Sequence, residues 1–486
     1  MKGHRLHMLV AAALALSGAL VCPTPAAADW FPTLLSPAQE AKLGAEQNPQ
    51  VIKEFGGVYN DPALANYVTS IGKLLASTSE EPNVNYTFTV LDSPIVNAFS
   101  LPGGYVYVTR GLMALANDEA ELAGVMAHEI GHINAHHAAQ RYSQSLIAQL
   151  GLGILGAVTK SNIASQVGGV AAQLVLRSYS REQEFESDTR GVRYMSRVGF
   201  DPHAMAQFLS TLQAHDQLQA QITGQSDGGD PFGLLATHPR TADRVERAIE
   251  QAGAVTVQNP VVARDIYLHK LEGVVYGDNP DQGLIRGRRF VHPKLRFAFE
   301  VPEGFRLINS ADAVLALGAQ DARIEFDFAA RPPNMGMAGY LTSVWAKGVS
   351  LRGVETITVN GMEAATGSAR LSTQQGTADI RPVAIAFDAN TAARFVFVTP
   401  PAATDRLAEG FKATTYSFRR ISAGEAEQVK PYRLHVIQAA SGDTVESLAA
   451  RQPFSDFSEE RLRVLNGLGP GDALAPGALV KIVTAN

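Results

Sequence analysis

The chain has 486 residues, of which 46 % are apolar and 18 % charged, a composition that supports packed cores and excludes an intrinsically disordered chain. Its formal net charge is −6 and no Lys/Arg-rich block occurs, so the electrostatic footprint of nucleic-acid binding is missing. The length predicts roughly two to four domains.

Residues 1–28 read as a secretory signal peptide. Lys2 and Arg5 supply the positive start, Met8 to Val21 the apolar run, and Ala26-Ala27-Ala28 the small residues before a cleavage point at Asp29. The apolar run is short for a membrane span. The single cysteine, Cys22, lies in this segment, so a mature chain from Asp29 would have neither disulfides nor thiolate ligands. Lipidation of Cys22 is the alternative, against which stands the bulky Val21 before it.

Residues 29–262 are expected to form a mainly helical domain with a small sheet. Ala38 to Ala45 and Pro62 to Ala76 have amphipathic helix patterns, the second opened by Asp61-Pro62 as cap and first turn. Tyr86 to Leu91 and Tyr105 to Thr109 read as strands, separated by a turn-rich stretch from Asn97 to Gly104. A strong helix pattern runs from Asp118 to His137, with acidic residues in its first turn. Ser145 to Leu176 is apolar and rich in Gly and Ala, but Lys160-Ser161-Asn162 splits it into halves too short to span a bilayer. It reads as a buried hairpin or lid, the competing reading being an insertion that touches the membrane surface.

Residues 263–425 change character. Strand patterns dominate, as at Leu295 to Val301, Ala322 to Ala329, Gly353 to Val359, Val383 to Asp388 and Arg394 to Val398, with helical patterns at Gly339 to Gly348 and Thr404 to Phe411. This predicts an α+β domain, and no catalytic constellation falls in it. Residues 431–486 predict a compact β-α-α-β unit: a strand at Leu434 to Ile437, helices at Val445 to Arg451 and Ser458 to Leu465, and a strand at Leu479 to Val483.

The chemistry concentrates at His128-Glu129-Ile130-Gly131-His132. Helix positions i and i+4 share a face, so the two imidazoles can share one zinc ion, with Glu129 beside them to move protons. Histidines at this spacing also occur as plain core or surface residues, and a catalytic zinc site needs a third protein ligand. Downstream, Ser180 to Asp188 offers three glutamates, any of which could serve. Glu184 and Asp188 lie four apart on one face, so Glu184 could ligate while Asp188 orients a ligand histidine. The plain alternative is a solvated acidic face balanced by Arg181 and Arg190.

With these motifs on the page, the chain resembles the gluzincin zinc metallopeptidase family of the CAAX prenyl protease and HtpX, in its soluble periplasmic BepA-like branch. The residues that carry the resemblance are His128 to His132, Asn97 to Gly104, and Glu184 to Asp188, with Ser187 where the family usually has alanine. It implies one Zn²⁺ per catalytic domain on His128, His132 and Glu184, catalysis by Glu129 through attack of a zinc-bound water, and an orienting Asp188. It also implies export to the periplasm of a Gram-negative bacterium and a role in protein quality control, with unfolded or misassembled envelope proteins as substrates. Thr237-His238-Pro239 resembles a further family feature, in which His238 is a reversible fourth ligand or contacts the substrate; the competing reading is a helix cap. His136 and His137 read as surface residues near the site rather than ligands. Asn97, Tyr105 and Tyr107 are the expected substrate contacts, an extended peptide adding to the edge of the Tyr105 to Thr109 strand.

Residues 431–486 resemble the LysM domain, through Gly442-Asp443-Thr444-Val445, Leu465-Asn466-Gly467 and Pro476 to Ile482. The resemblance implies peptidoglycan as a partner; the alternative is a docking module without sugar affinity. Two other function classes stay open: an envelope chaperone with a latched zinc site, and a peptidoglycan-associated protein.

Overall fold

The computed structural model describes residues 35–143, 178–223, 233–238, 247, 250, 257–310, 313–373 and 376–485. The leader at 1–28, the apolar stretch at 145–176, and the residues from Pro239 to Arg244 lie outside them. The described chain divides into two units, residues 280–430 and the combination of 29–279 with 431–486.

The combined unit begins with α1 (Pro37–Glu54), whose first turn is closed by a Ser36/Gln39 capping box. In α2 (Pro62–Ala76) the Asp61 carboxylate accepts from the Leu64 amide, and Leu64, Val68, Ile71 and Leu75 form the buried stripe that the sequence pattern predicts. Next come β1 (Thr87–Leu91), β2 (Ala98–Leu101) and β3 (Tyr105–Thr109), in the order β1-β3-β2, with β1 parallel and β2 antiparallel to β3. The stretch expected to be loop therefore holds the outer strand β2. Strand β3, expected to offer its edge, is central and has neighbours on both sides.

Thr109 caps α3 (Arg110–Leu115), and Asp118 caps α4 (Glu119–Asn134) by accepting from the Glu121 amide. Helix α4 is enclosed almost completely, and it packs on α5 (Arg181–Arg197), on α6 (His203–Thr223) and on β2. The helical pattern to His137 does not stay on one axis. Ala135 ends α4, His136 takes the left-handed conformation at φ 55°, and helical backbone resumes at His137. A short α7 (Leu234–Thr237) precedes His238, and α8 (Arg264–Lys270) leads to β4 (Val275–Tyr276).

The C-terminal segment has the expected β-α-α-β order: β5 (Tyr432–Gln438), α9 (Val445–Ala449), α10 (Ser458–Leu465) and β6 (Leu479–Thr484). Strand β5 pairs antiparallel with both β6 and β4, so residues 275–276 and this segment build one sheet. Leu434, Leu465 and Val483 belong to the same apolar core as Leu122, Met126 and Ile130 of α4. The boundary expected at 262/263 thus falls at 279/280, and the expected separate third domain is part of the peptide-chain core that holds α4.

Residues 280–430 form their own α+β unit. A seven-stranded antiparallel sheet has the order 352–359, 362–373, 376–386, 391–399, 323–330, 313–317, 306–309. A smaller sheet joins 419–420, 297–300, 289–292 and 284–286. Among the described residues no helix is long and apolar enough to cross a membrane.

Candidate metal centre

Helices α4 and α5 approach closely because each has a glycine at the crossing. A Cβ on Gly131 would stand 3.0 Å from the Ser187 carbonyl oxygen, and one on Gly191 would stand 3.2 Å from the His128 amide nitrogen. This closeness lets the short Glu184 and Asp188 side chains reach the histidines of α4. The structure brings His128, His132, Glu184 and Asp188 together.

His128, His132, Glu184 and His238 each direct one donor atom into a common space, all within 4.8 Å of one another and all buried. His128 Nε2 is 3.0 Å from His132 Nε2 and 3.2 Å from His238 Nδ1. Glu184 Oε1 is 2.7 Å from His238 Nδ1 and 3.4 Å from His132 Nε2, while Glu184 Oε2 is 3.6 Å from His128 Nε2. Ligands about 2.0–2.2 Å from one tetrahedral zinc ion stand roughly 3.3–3.5 Å apart; the separations of 3.2, 3.4 and 3.6 Å are close to such tetrahedron edges, whereas 2.7 Å between Glu184 and His238 is a hydrogen-bond distance. The donor set, imidazoles with one carboxylate, is also the set zinc takes in catalytic sites. Burial holds the His132 imidazole well below its usual pKa, which keeps it neutral and its lone pair available.

Orientation comes from the groups behind the donors. His128 Nδ1 lies 2.8 Å from Asp188 Oδ1, so the ring donates away from the cluster and presents Nε2 inward. The His132 ring stacks on Tyr179 at a centroid distance of 3.9 Å, and the Arg141 guanidinium covers the other aspect of Tyr179 at 3.6 Å. Glu129 is fully enclosed: Ser100 Oγ on β2 donates to its Oε2 at 3.0 Å, and its Oε1 lies 3.4 Å from His238 Nε2. His238 follows α7, which is held by a hydrogen bond from the Leu234 amide to the Val96 carbonyl next to β2. A small apolar cavity adjoins His128 and His238 and is lined by Val125, Met205, Phe208, Leu209 and Leu212 among others.

Two sets of expectations need correction. His137, read from sequence as a surface residue, is only 1 % exposed and sets its Nδ1 2.8 Å from His132 Nδ1. His136 is nearer the surface and pairs with Glu40 and Glu81. Tyr107, expected to meet substrate, is fully buried, stacks on Phe99 and donates from Oη to Asn48 Oδ1 at 2.6 Å. Tyr105 sits on the same central strand, packed with the Val51, Phe55 and Phe99 cluster, and Asn97 is a buried residue bridged by backbone to Thr109. Ser100, Tyr179 and Arg141 escaped the sequence reading. Ser100 lies inside the Asn97 to Gly104 motif without being singled out there, and no periodicity or motif marks Tyr179 and Arg141, whose positions only the fold sets.

Residues 62–252 match the family model described as Peptidase family M48. The chain is 32 % identical over 207 residues to a putative beta-barrel assembly-enhancing protease of Vibrio cholerae, covering 40 % of each protein. It is 30 % identical over 245 residues to the beta-barrel assembly-enhancing protease of Escherichia coli, covering 49 % of this chain and 48 % of that one. It is also 30 % identical over 181 residues to the human mitochondrial metalloendopeptidase OMA1, covering 35 % and 33 %. The chain thus spans less than half the length of these relatives.

Proposed function

From the match of residues 62–252 to Peptidase family M48 we propose a zinc-dependent endopeptidase that cleaves misfolded or unassembled proteins of the cell envelope. The observation that carries the reading is the buried set of His128, His132, Glu184 and His238 donors with the Glu129 carboxylate beside it. His128, His132 and Glu184 would hold the zinc ion. When bound, zinc supplies Lewis-acid polarisation of the scissile carbonyl and lowers the pKa of the attacking water. Glu129 takes that water's proton and returns it to the leaving amine. The hydrogen bond from Ser100 fixes Oε2, which leaves Oε1 as the proton-accepting oxygen. Asp188 keeps His128 in the tautomer that ligates.

Strand β2, outermost in its sheet and carrying Ser100, is the edge that would take an extended substrate through main-chain hydrogen bonds. Such binding is nearly blind to side chains, which suits unfolded substrates. The names of the bacterial relatives and the leader-like pattern at 1–28 support envelope substrates and a periplasmic location. The LysM-like pattern of residues 431–486 supports peptidoglycan as a partner.

A second reading has its own observation. His238 Nδ1 stands 3.2 Å from His128 Nε2 and within hydrogen-bond distance, 2.7 Å, of Glu184 Oε1, beside the position a catalytic site keeps open. In that state the protein is latched and would act as an envelope chaperone or binding protein until His238 withdraws. One experiment separates the two: zinc content and unfolded-casein cleavage of the wild type, Glu129→Ala and His238→Ala. The peptidase reading expects about one zinc in all three, cleavage by the wild type, and a loss of roughly 10²–10⁴-fold in Glu129→Ala. A latch predicts faster basal cleavage by His238→Ala. Wild-type protein that binds zinc, and cleaves in neither form, would leave only the binding role.

A further inference from the structure

We infer that His137 is a positioning residue for the metal site: it accepts a hydrogen bond from His132 Nδ1 and passes the interaction on to Glu186, as Asp188 serves His128. The inference rests on the zinc reading above. His132 can ligate through Nε2, the nitrogen that faces His128 Nε2 at 3.0 Å and Glu184 Oε1 at 3.4 Å, only if that nitrogen carries a lone pair. Its proton is then on Nδ1. His137 Nδ1, 2.8 Å away, must accept it, which places the His137 proton on Nε2, facing the Glu186 carboxylate at 3.5 Å. Ser187 Oγ, 3.4 Å from the same His137 Nδ1, can donate alongside without reversing that order. Every proton in the chain Glu186–His137–His132 is fixed by the one requirement that His132 be a ligand.

The backbone is bent to make this contact. On one continuous helix a residue five positions on is turned by roughly 140°, so His137 would point away from His132. The helix axis instead breaks at His136, whose φ of 55° is a left-handed conformation that a non-glycine residue adopts at a cost. The break is braced from outside: His136 Nδ1 lies 3.1 Å from Glu40 Oε2 and its Nε2 lies 3.5 Å from Glu81 Oε1. Only after that bend does His137 turn inward to a site that is 1 % exposed. The two ligand histidines of α4 are thereby held by two different devices, a carboxylate on α5 for His128 and a redirected helix for His132.

The test is zinc affinity of the full chain by chelator competition, with the melting temperature of the zinc-free protein measured alongside. Variants are His137→Ala and His137→Asn, whose amide oxygen can still accept. His137→Ala should bind zinc roughly 10- to 100-fold more weakly with little change in apo melting temperature, and His137→Asn should recover most of the affinity. Equal affinity in wild type and His137→Ala overturns the inference. A His137→Asn as weak as His137→Ala also overturns it, because the ring would then act by packing alone. If His137→Ala does not fold, the His137→Asn affinity decides in the same way. Wild-type protein that binds no zinc would instead overturn the peptidase reading, a result distinct from either.

Discussion

Where the combined unit of residues 29–279 and 431–486 encloses ionisable groups, the unit of residues 280–430 encloses phenylalanine. In the first, His128, Glu129, His132, Glu184, Asp188 and His238 are each at most 4 % exposed, with contacts among them such as His238–Glu184 and His128–Asp188. In the second, Phe290, Phe297, Phe299, Phe326, Phe395 and Phe397 are each at most 3 % exposed, with ring centroids such as Phe299–Phe326 at 4.8 Å and Phe326–Phe395 at 4.7 Å. Buried charge and buried imidazole cost desolvation, and a fold retains them where they do chemistry. Buried aromatic area stabilises without chemistry. The difference teaches where to look for activity and where to look for stability.

That contrast can be broken or sharpened. The largest expected effect on stability is in the aromatic core. Phe326→Ala should cost about 3–5 kcal/mol in the unfolding free energy of the 280–430 unit, read by denaturant titration. A cost under about 1 kcal/mol would mean that the aromatic cluster does not hold that unit.

A smaller effect is expected from a buried lysine that ties the C-terminal segment to the end of α3. Lys481 is fully buried, and its Nζ donates to the carbonyl oxygens of Ala114, Leu115 and Ala116 at 2.8, 3.3 and 2.7 Å. These are the carbonyls at the end of α3, just before the Asp118 cap of α4, where a cation also meets the negative end of the helix dipole. Burial lowers the Lys481 pKa to about 7, and Lys481→Met should destabilise the combined unit by roughly 1–3 kcal/mol, because three buried acceptors lose their donor. Zinc affinity measured on the same variant sharpens the comparison: a fall would show that the C-terminal segment supports the site as well as the core.

The smallest effect concerns pH. The hydrogen bond with Glu40 raises the pKa of His136 above its usual value. A raised folded-state value means that the bridge contributes fully below the unfolded pKa of about 6.5, and that the contribution is lost as pH rises through the folded value. Melting temperature of the zinc-free protein should therefore fall slightly across that window. In His136→Ala that slope should flatten, and an unchanged slope would show that other groups carry it.

Much of this was legible from residue order. The helix at Pro62–Ala76 and the strand at Tyr105–Thr109 have the bounds that their patterns predict, because proline, capping aspartate and strict alternation act locally. The β-α-α-β order of the C-terminal segment was legible for the same reason. The strand at 362–373 was not, since Met-Glu-Ala-Ala-Thr-Gly-Ser-Ala-Arg carries small residues with little alternation and pairs only because its neighbours on both sides do. Strand β2 was read as loop because its turn residues outnumber its four strand positions.

The same division governs the site. His128 and His132 are spaced so that any helix turns them to one face, with Glu129 adjacent, and the same period brings Glu184 and Asp188 together on a second helix. Sequence alone singled out His128, Glu129 and His132 and left Glu184 as one of three candidate glutamates, which the family resemblance then favoured together with Asp188. Which nitrogen each histidine presents, how Ser100 reaches Glu129, that β2 is an outer strand and that His137 faces inward were decided by tertiary structure. Those facts depend on a glycine-permitted crossing of α4 and α5, on the order of three strands and on a single left-handed residue at His136. Each is a relation between elements, and a relation between elements has no period for a sequence to display.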